Sequence, residues 1–166
     1  MGFLEWLQNS RVGLWISESD WGYPIVLNGH AVGMAIVVGV VLMFCVRVLG
    51  YNKSLPATVF EKLLVVAWLG FALNAATGVL LFLGKAQQFI VNPAFLIKIG
   101  LIVCGGVSVW LLTRMFDQNP AWAQENDMPS RAKIVAAFVI VFWLGAIVAG
   151  RLIGYTLGPP PPPSIT

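Results

Sequence analysis

Carboxylates are missing where a membrane pump would need them. Only seven of 166 residues are Asp or Glu. Glu5, Glu18, Asp20, Glu61, Asp117, Glu125 and Asp127 all lie outside the apolar cores of the long hydrophobic runs. Proton pumps and cation transporters work through carboxylates inside the membrane, so this composition argues against both. Charge of either sign is scarce. Charged residues make up 10% of the chain and hydrophobic residues 58%, whereas a soluble domain is about a quarter charged. The chain therefore reads as one integral membrane domain. Proline is absent from the interior of the runs, which argues against a transporter built on broken helices. No nucleophile motif, HExxH, P-loop or GxGxxG is present. No catalytic residue is assigned, and no activity of its own is expected.

Cysteine and histidine are rare too. Cys45 and Cys104 stand alone in different apolar runs, with no CxxC or metal-ligand spacing, and read as small packing residues. The net charge of +3 comes from scattered basic residues. These are topology signals and give no reason to expect nucleic acid as a partner. The N-terminus lacks the basic region of a signal peptide, so the first run is expected to remain as an anchor.

Four long apolar runs are present, at about residues 25–48, 59–83, 93–116 and 134–157, and Ile25 to Val46 carries no charge at all. Each exceeds the roughly 20 apolar residues that a bilayer demands. Prolines fall between the runs or at their first turns, and Asn92-Pro93 is a helix start with an N-cap and a proline behind it. The expected fold class is all-α: a four-transmembrane-helix antiparallel bundle with an N-terminal interfacial amphipathic helix. The expected organisation is an interfacial segment (1–23), the bundle (24–157) and a stiff polyproline tail (158–166). Gly22 and Pro24 are expected to break the chain before the first span. Trp6, Trp15, Trp21 and Tyr23 suit an aromatic belt at headgroup depth.

Small residues recur at spacing four: Gly29/Gly33, Ala35/Gly39, Ala72/Ala76, Gly145/Ala149, Ala146/Gly150 and Gly150/Gly154. Packing within one bundle is expected to account for all of them, with a homo-oligomer possible but not required. Arg47, Lys53, Lys62, Arg114, Arg131 and Lys133 flank the loops 49–58 and 117–133, against Arg11, Lys85, Lys98 and Arg151 on the other side. That bias is expected to put both termini on the outer side of the membrane and these two loops in the cytoplasm. Trp122 is expected to dip the second loop into the interface.

The candidate binding residues are the few polar groups inside the runs: His30, Asn74, Lys98 and Arg151, with Met34 one turn from His30. At 1.5 Å rise per residue, His30, Lys98 and Arg151 each lie about 9 Å inside a helix end on the same side. Asn74 lies about 15 Å inside by the same arithmetic, with Thr77 one turn nearer the surface. Such a set suits a carbonyl or anionic head. Three cofactor roles compete for His30: ligand to haem b iron, copper(I) ligand with Met34, or hydrogen-bond partner to a quinone. The expectation is a small, non-catalytic, redox-associated membrane module that uses His30 near the outer leaflet. The alternative is a cofactor-free accessory subunit of a larger membrane complex, binding only lipid. In that case Lys98 and Arg151 merely snorkel and Asn74 holds helices together.

Motifs also point to relatives. Trp21-x-Tyr23-Pro24, His30 with Gly33-Met34-Ala35, and Arg47-Val48-Leu49-Gly50 resemble the first helix of a bacterial four-helix membrane family of unknown function. Gly70-Phe71, Thr77-Gly78-Val79 and Asn92-Pro93-Ala94-Phe95 with Lys98 resemble its second and third helices. The resemblance covers roughly residues 1–116. It implies the four-helix fold and a bacterial membrane, and adds weight to His30, Arg47, Asn92 and Lys98. The chain departs from that pattern at Leu27 and Cys45, where the family often has acids. The first of these would orient the imidazole.

Overall fold

The computed structural model describes residues 2–51, 58–123 and 127–157. Two short helices, α1 (Phe3–Gln8) and α2 (Arg11–Glu18), precede the first long one, α3 (Gly22–Val48). The rest are α4 (Thr58–Gly84), the short α5 (Ala86–Ile90), α6 (Pro93–Gln118), a 3₁₀ turn (Pro120–Ala123) and α7 (Ser130–Thr156). Among the described residues there is no strand. Four helices are long and apolar enough to cross a membrane. The protein is an all-α, antiparallel four-helix membrane bundle. The proline-rich tail (158–166) lies outside the described residues.

Gly22 and Pro24 do not break the chain. They form the first turn of α3, with Trp21 as N-cap. Proline costs nothing there, because the first N–H groups of a helix have no intrahelical partner. Gly22 is needed for a different reason: a Cβ on it would run into the backbone oxygen of Trp15 at the end of α2. At the other end of α3, Gly50 adopts φ 102°. Its N–H donates to Arg47 O at 3.0 Å, and Tyr51 N–H donates to Val46 O at 3.1 Å. This pair of bonds is a Schellman stop. Asn92 caps α6 as its sequence suggests, its side chain accepting from Phe95 N–H at 3.2 Å.

Packing runs in a row, α4–α3–α7–α6. The α3–α4 and α6–α7 hairpins are each closely packed, and α3 against α7 joins them. Among the described residues, α4 and α6 share no comparable backbone packing. The main core lies at the Arg47 end, where Phe44, Cys45 and Val48 of α3 meet Leu112 and Phe116 of α6 and Ala132, Ala136 and Val139 of α7. Trp122 is buried in this core, not dipped into the interface. Its ring sits edge-on to Phe116, and Arg131 covers it at 5.1 Å. A smaller cluster of Phe89, Ala94 and Ile153 closes the His30 end.

Close approach is set by glycine. A Cβ on Gly33 would lie 2.8 Å from Asn74 N and 2.9 Å from Gly70 O. The α3–α4 backbones therefore touch, as small residues permit in lipid. Packing within the bundle does not account for every small pair. Gly39 and Gly154 have nothing within 4 Å of a built Cβ, and Ala35, Ala72 and Ala76 are exposed. At the His30 end α2 docks on the α3–α4 hairpin. Ile16 is almost fully buried, its Cγ2 lying 2.8 Å from where a Cβ on Gly84 would be. Phe3, Trp6, Trp15, Trp21 and Tyr23 stay exposed around it.

Candidate functional site

All four long helices contribute to the His30–Lys98 pair. From α3, His30 Nδ1 lies 3.0 Å from the backbone oxygen of Asn74 and 3.2 Å from Thr77 Oγ1 on α4. Asn74 answers with its own side chain, Nδ2–H donating to His30 O at 2.8 Å. The two residues thus exchange bonds across the interface that Gly33 and Gly70 bring together. The Thr77 hydroxyl donates back into its own helix, to Leu73 O at 2.6 Å. Its lone pairs are left for the imidazole.

These contacts decide the tautomer. A backbone carbonyl can only accept, so Nδ1 carries the proton and donates to Asn74 O. In the neutral ring Nε2 is then a bare acceptor. Lys98 Nζ from α6 lies 3.4 Å from it, which makes a long, weak hydrogen bond. No carboxylate reaches Lys98 among the described residues.

Two glycines make the room. Gly78 of α4 faces the imidazole edge, with His30 Cε1 3.2 Å from a built Cβ. Gly150 of α7 backs the lysine stem, with Lys98 Cδ, Cε and Nζ each 3.4 Å from a built Cβ. One turn toward the helix ends stands an aromatic stack. Phe82 of α4, Phe89 of α5 and Phe95 of α6 have centroids 5.2–6.4 Å apart and planes within 17–25° of one another. Phe82 is four residues from Gly78, and Phe95 three from Lys98, so each shares a helix face with its site neighbour. The stack lies on the helix-end side of the His30–Lys98 pair. The pair itself is part-buried, and among the described residues α4 and α6 share no close backbone packing beside it.

The structure brings together His30, Asn74, Thr77 and Lys98. It leaves two other candidates elsewhere. Met34 packs against the main core. Arg151 is exposed, and among the described residues no hydrogen bond or ion pair holds it. Asn92 has a structural task, its side chain bonding Thr156 Oγ1 at 3.0 Å and tying the start of α6 to the end of α7. Sequence reasoning treated Gly78 and Gly150 as packing or motif glycines. Their depth, matched to His30 and Lys98 on neighbouring helices, is the signal that marks them as site residues.

The chain matches no protein-family model, no curated protein and no solved structure. What the fold and site define is a class: a small, multi-pass integral membrane protein whose four helices converge on a histidine–lysine pair.

Proposed function

We propose that this protein is a non-catalytic quinone-binding module of the bacterial inner membrane, with His30 and Lys98 toward the outer leaflet. The observation that carries the reading is Lys98 Nζ at 3.4 Å from His30 Nε2, without a carboxylate partner among the described residues. A cation inside a membrane helix costs roughly 2.5–3.5 kcal/mol at the bilayer centre, and less near the interface. An oxygen acceptor from a ligand offsets that cost. A quinone carbonyl accepts from the ammonium, and its flat ring suits the phenylalanine surface beside the site. Where α4 and α6 lack close backbone packing among the described residues, a molecule dissolved in the lipid phase would have its route to the pair.

Haem and copper suit the donor set less well. Lys98 occupies the approach to Nε2. Met34, the second soft ligand, packs on the core. Among the described residues no three His, Cys, Asp or Glu side chains gather. The outer-leaflet placement rests on the excess of Lys and Arg beside residues 49–58 and 117–133. The bacterial membrane rests on the motif resemblance around His30 and Asn92.

A second reading has an observation of its own. The His30–Asn74 exchange would hold α3 to α4 with no ligand present, as a cofactor-free accessory subunit requires. Purification from native membranes in mild detergent separates the two. Lipid extraction should yield near-stoichiometric quinone, falling at least tenfold in Lys98→Met. A Soret band lost in His30→Ala would replace quinone by haem. Stoichiometric copper lost in His30→Ala would replace it by copper. A colourless, metal-free and quinone-free protein that co-purifies with a partner subunit would establish the accessory reading.

A further inference from the structure

We infer that the site, on the quinone reading above, selects the reduced ring: a quinol, with its hydroxyl, over the matching quinone. The argument rests on which hydrogen-bonding roles the pair leaves open. Nδ1–H is committed to Asn74 O at 3.0 Å, and a carbonyl cannot return a proton. Nε2 therefore presents a lone pair. Lys98 Nζ beside it presents only N–H donors. The pair thus offers one acceptor and one donor within 3.4 Å of each other.

A quinone oxygen can only accept. It satisfies Lys98 and leaves Nε2 with the weak bond to lysine that it already has. A quinol oxygen does both: its O–H donates to Nε2 while its lone pairs accept from Lys98. Binding a quinol lets one oxygen insert between two groups that now meet at a poor distance. A group built to hydrogen-bond a hydroxyl discriminates against the analogue that lacks it. One added hydrogen bond contributes up to about tenfold in affinity. Asn74 and Thr77 serve as positioning residues. They hold the tautomer that makes the discrimination and need not touch the ligand.

The test uses the sequence's single histidine. Labelling histidine with ¹⁵N gives one pair of ring signals from the whole protein. In detergent micelles without ligand, Nδ1 should appear protonated and Nε2 bare. A short-chain benzoquinol, kept reduced under anaerobic conditions, should shift the Nε2 signal and bind roughly tenfold more tightly than the matching benzoquinone. In Lys98→Met, which leaves the histidine clasp intact, quinone binding should fall to background. Quinol should still shift Nε2, so the preference for quinol widens. A protonated Nε2 in the free protein, or equal affinities for the two redox forms, would overturn the inference and leave quinone binding standing. Binding of neither probe would overturn the quinone reading itself, and this inference with it, even with Nε2 bare.

Discussion

His30 and Asn74 hold each other at both ends: the imidazole Nδ1–H donates to Asn74 O at 3.0 Å, and the Asn74 amide donates to His30 O at 2.8 Å. One bond uses the histidine side chain and the other the asparagine side chain, so the two are separable by mutation. Asn74→Leu removes the second and keeps the first, because the backbone carbonyl remains. Interhelical side-chain bonds in membranes contribute about 0.6 kcal/mol on average, and up to about 2. Asn74→Leu should therefore lower the thermal midpoint in detergent by a few degrees. Thr77→Val, whose hydroxyl proton serves its own helix, should cost less than Asn74→Leu. Equal losses would mean that the asparagine amide does not cross the interface.

Gly33 and Gly39 lie on one helix and should respond oppositely to the same change. A Cβ on Gly33 meets the backbone of α4 at 2.8 and 2.9 Å, where nothing can rotate aside. Overpacking of this kind costs about 1–3 kcal/mol, so Gly33→Ala should loosen the α3–α4 hairpin. Gly39 faces open space. Gly39→Ala removes the entropy penalty of glycine in a helix and should stabilise by roughly 0.5–1 kcal/mol. Unfolding in mixed micelles with increasing SDS measures both. A destabilising Gly39→Ala would show that another surface covers that face.

These two glycines also mark what can be read from a membrane sequence and what cannot. The four helices are legible because a bilayer demands long, predominantly apolar runs, and few other structures use them. Asn92 is legible because an N-cap before proline is local chemistry. The shared depth of His30 and Lys98 follows from counting residues to helix ends. Facing is another matter. A lipid-facing stripe and an inward-facing stripe are equally apolar, so periodicity does not tell Gly33 from Gly39, or a core-packed Met34 from a metal co-ligand beside His30. The row order α4–α3–α7–α6 is set by long-range packing and has no local signature. Trp122 illustrates the same limit. A tryptophan in a polar loop suits the interface by composition, yet Phe116 and Arg131 enclose it in the core.

Ile16 ties the N-terminal helices to the bundle. Its side chain is almost fully buried against Gly84, while Val12, Leu14 and Trp15 on the same helix are exposed. Truncating a buried isoleucine to alanine costs about 2–5 kcal/mol in a water-solvated core. In Ile16→Ala that loss falls on docking of α2, not on the spans. Backbone amides of residues 11–18 should lose hydrogen-exchange protection, while those of α3 keep theirs. Joint loss of protection in α2 and α3 would mean that α2 is part of one cooperative unit with the spans.

The two thiols give a direct check on the packing. Cys45 is fully buried in the main core, and Cys104 lies exposed on the outer face of α6. Both sit in apolar helices, so their difference comes from facing and not from depth alone. A lipid-soluble maleimide reaches a lipid-facing thiol and is kept from a core thiol by close packing. Mass spectrometry after brief labelling in mild detergent should find one adduct, on Cys104. Labelling in SDS should find two. Cys104→Ser should abolish native labelling, and Cys45→Ser should leave it unchanged. Prompt native labelling of Cys45 would mean that α3 does not present that face to α6 and α7, and the row order of helices would have to be redrawn.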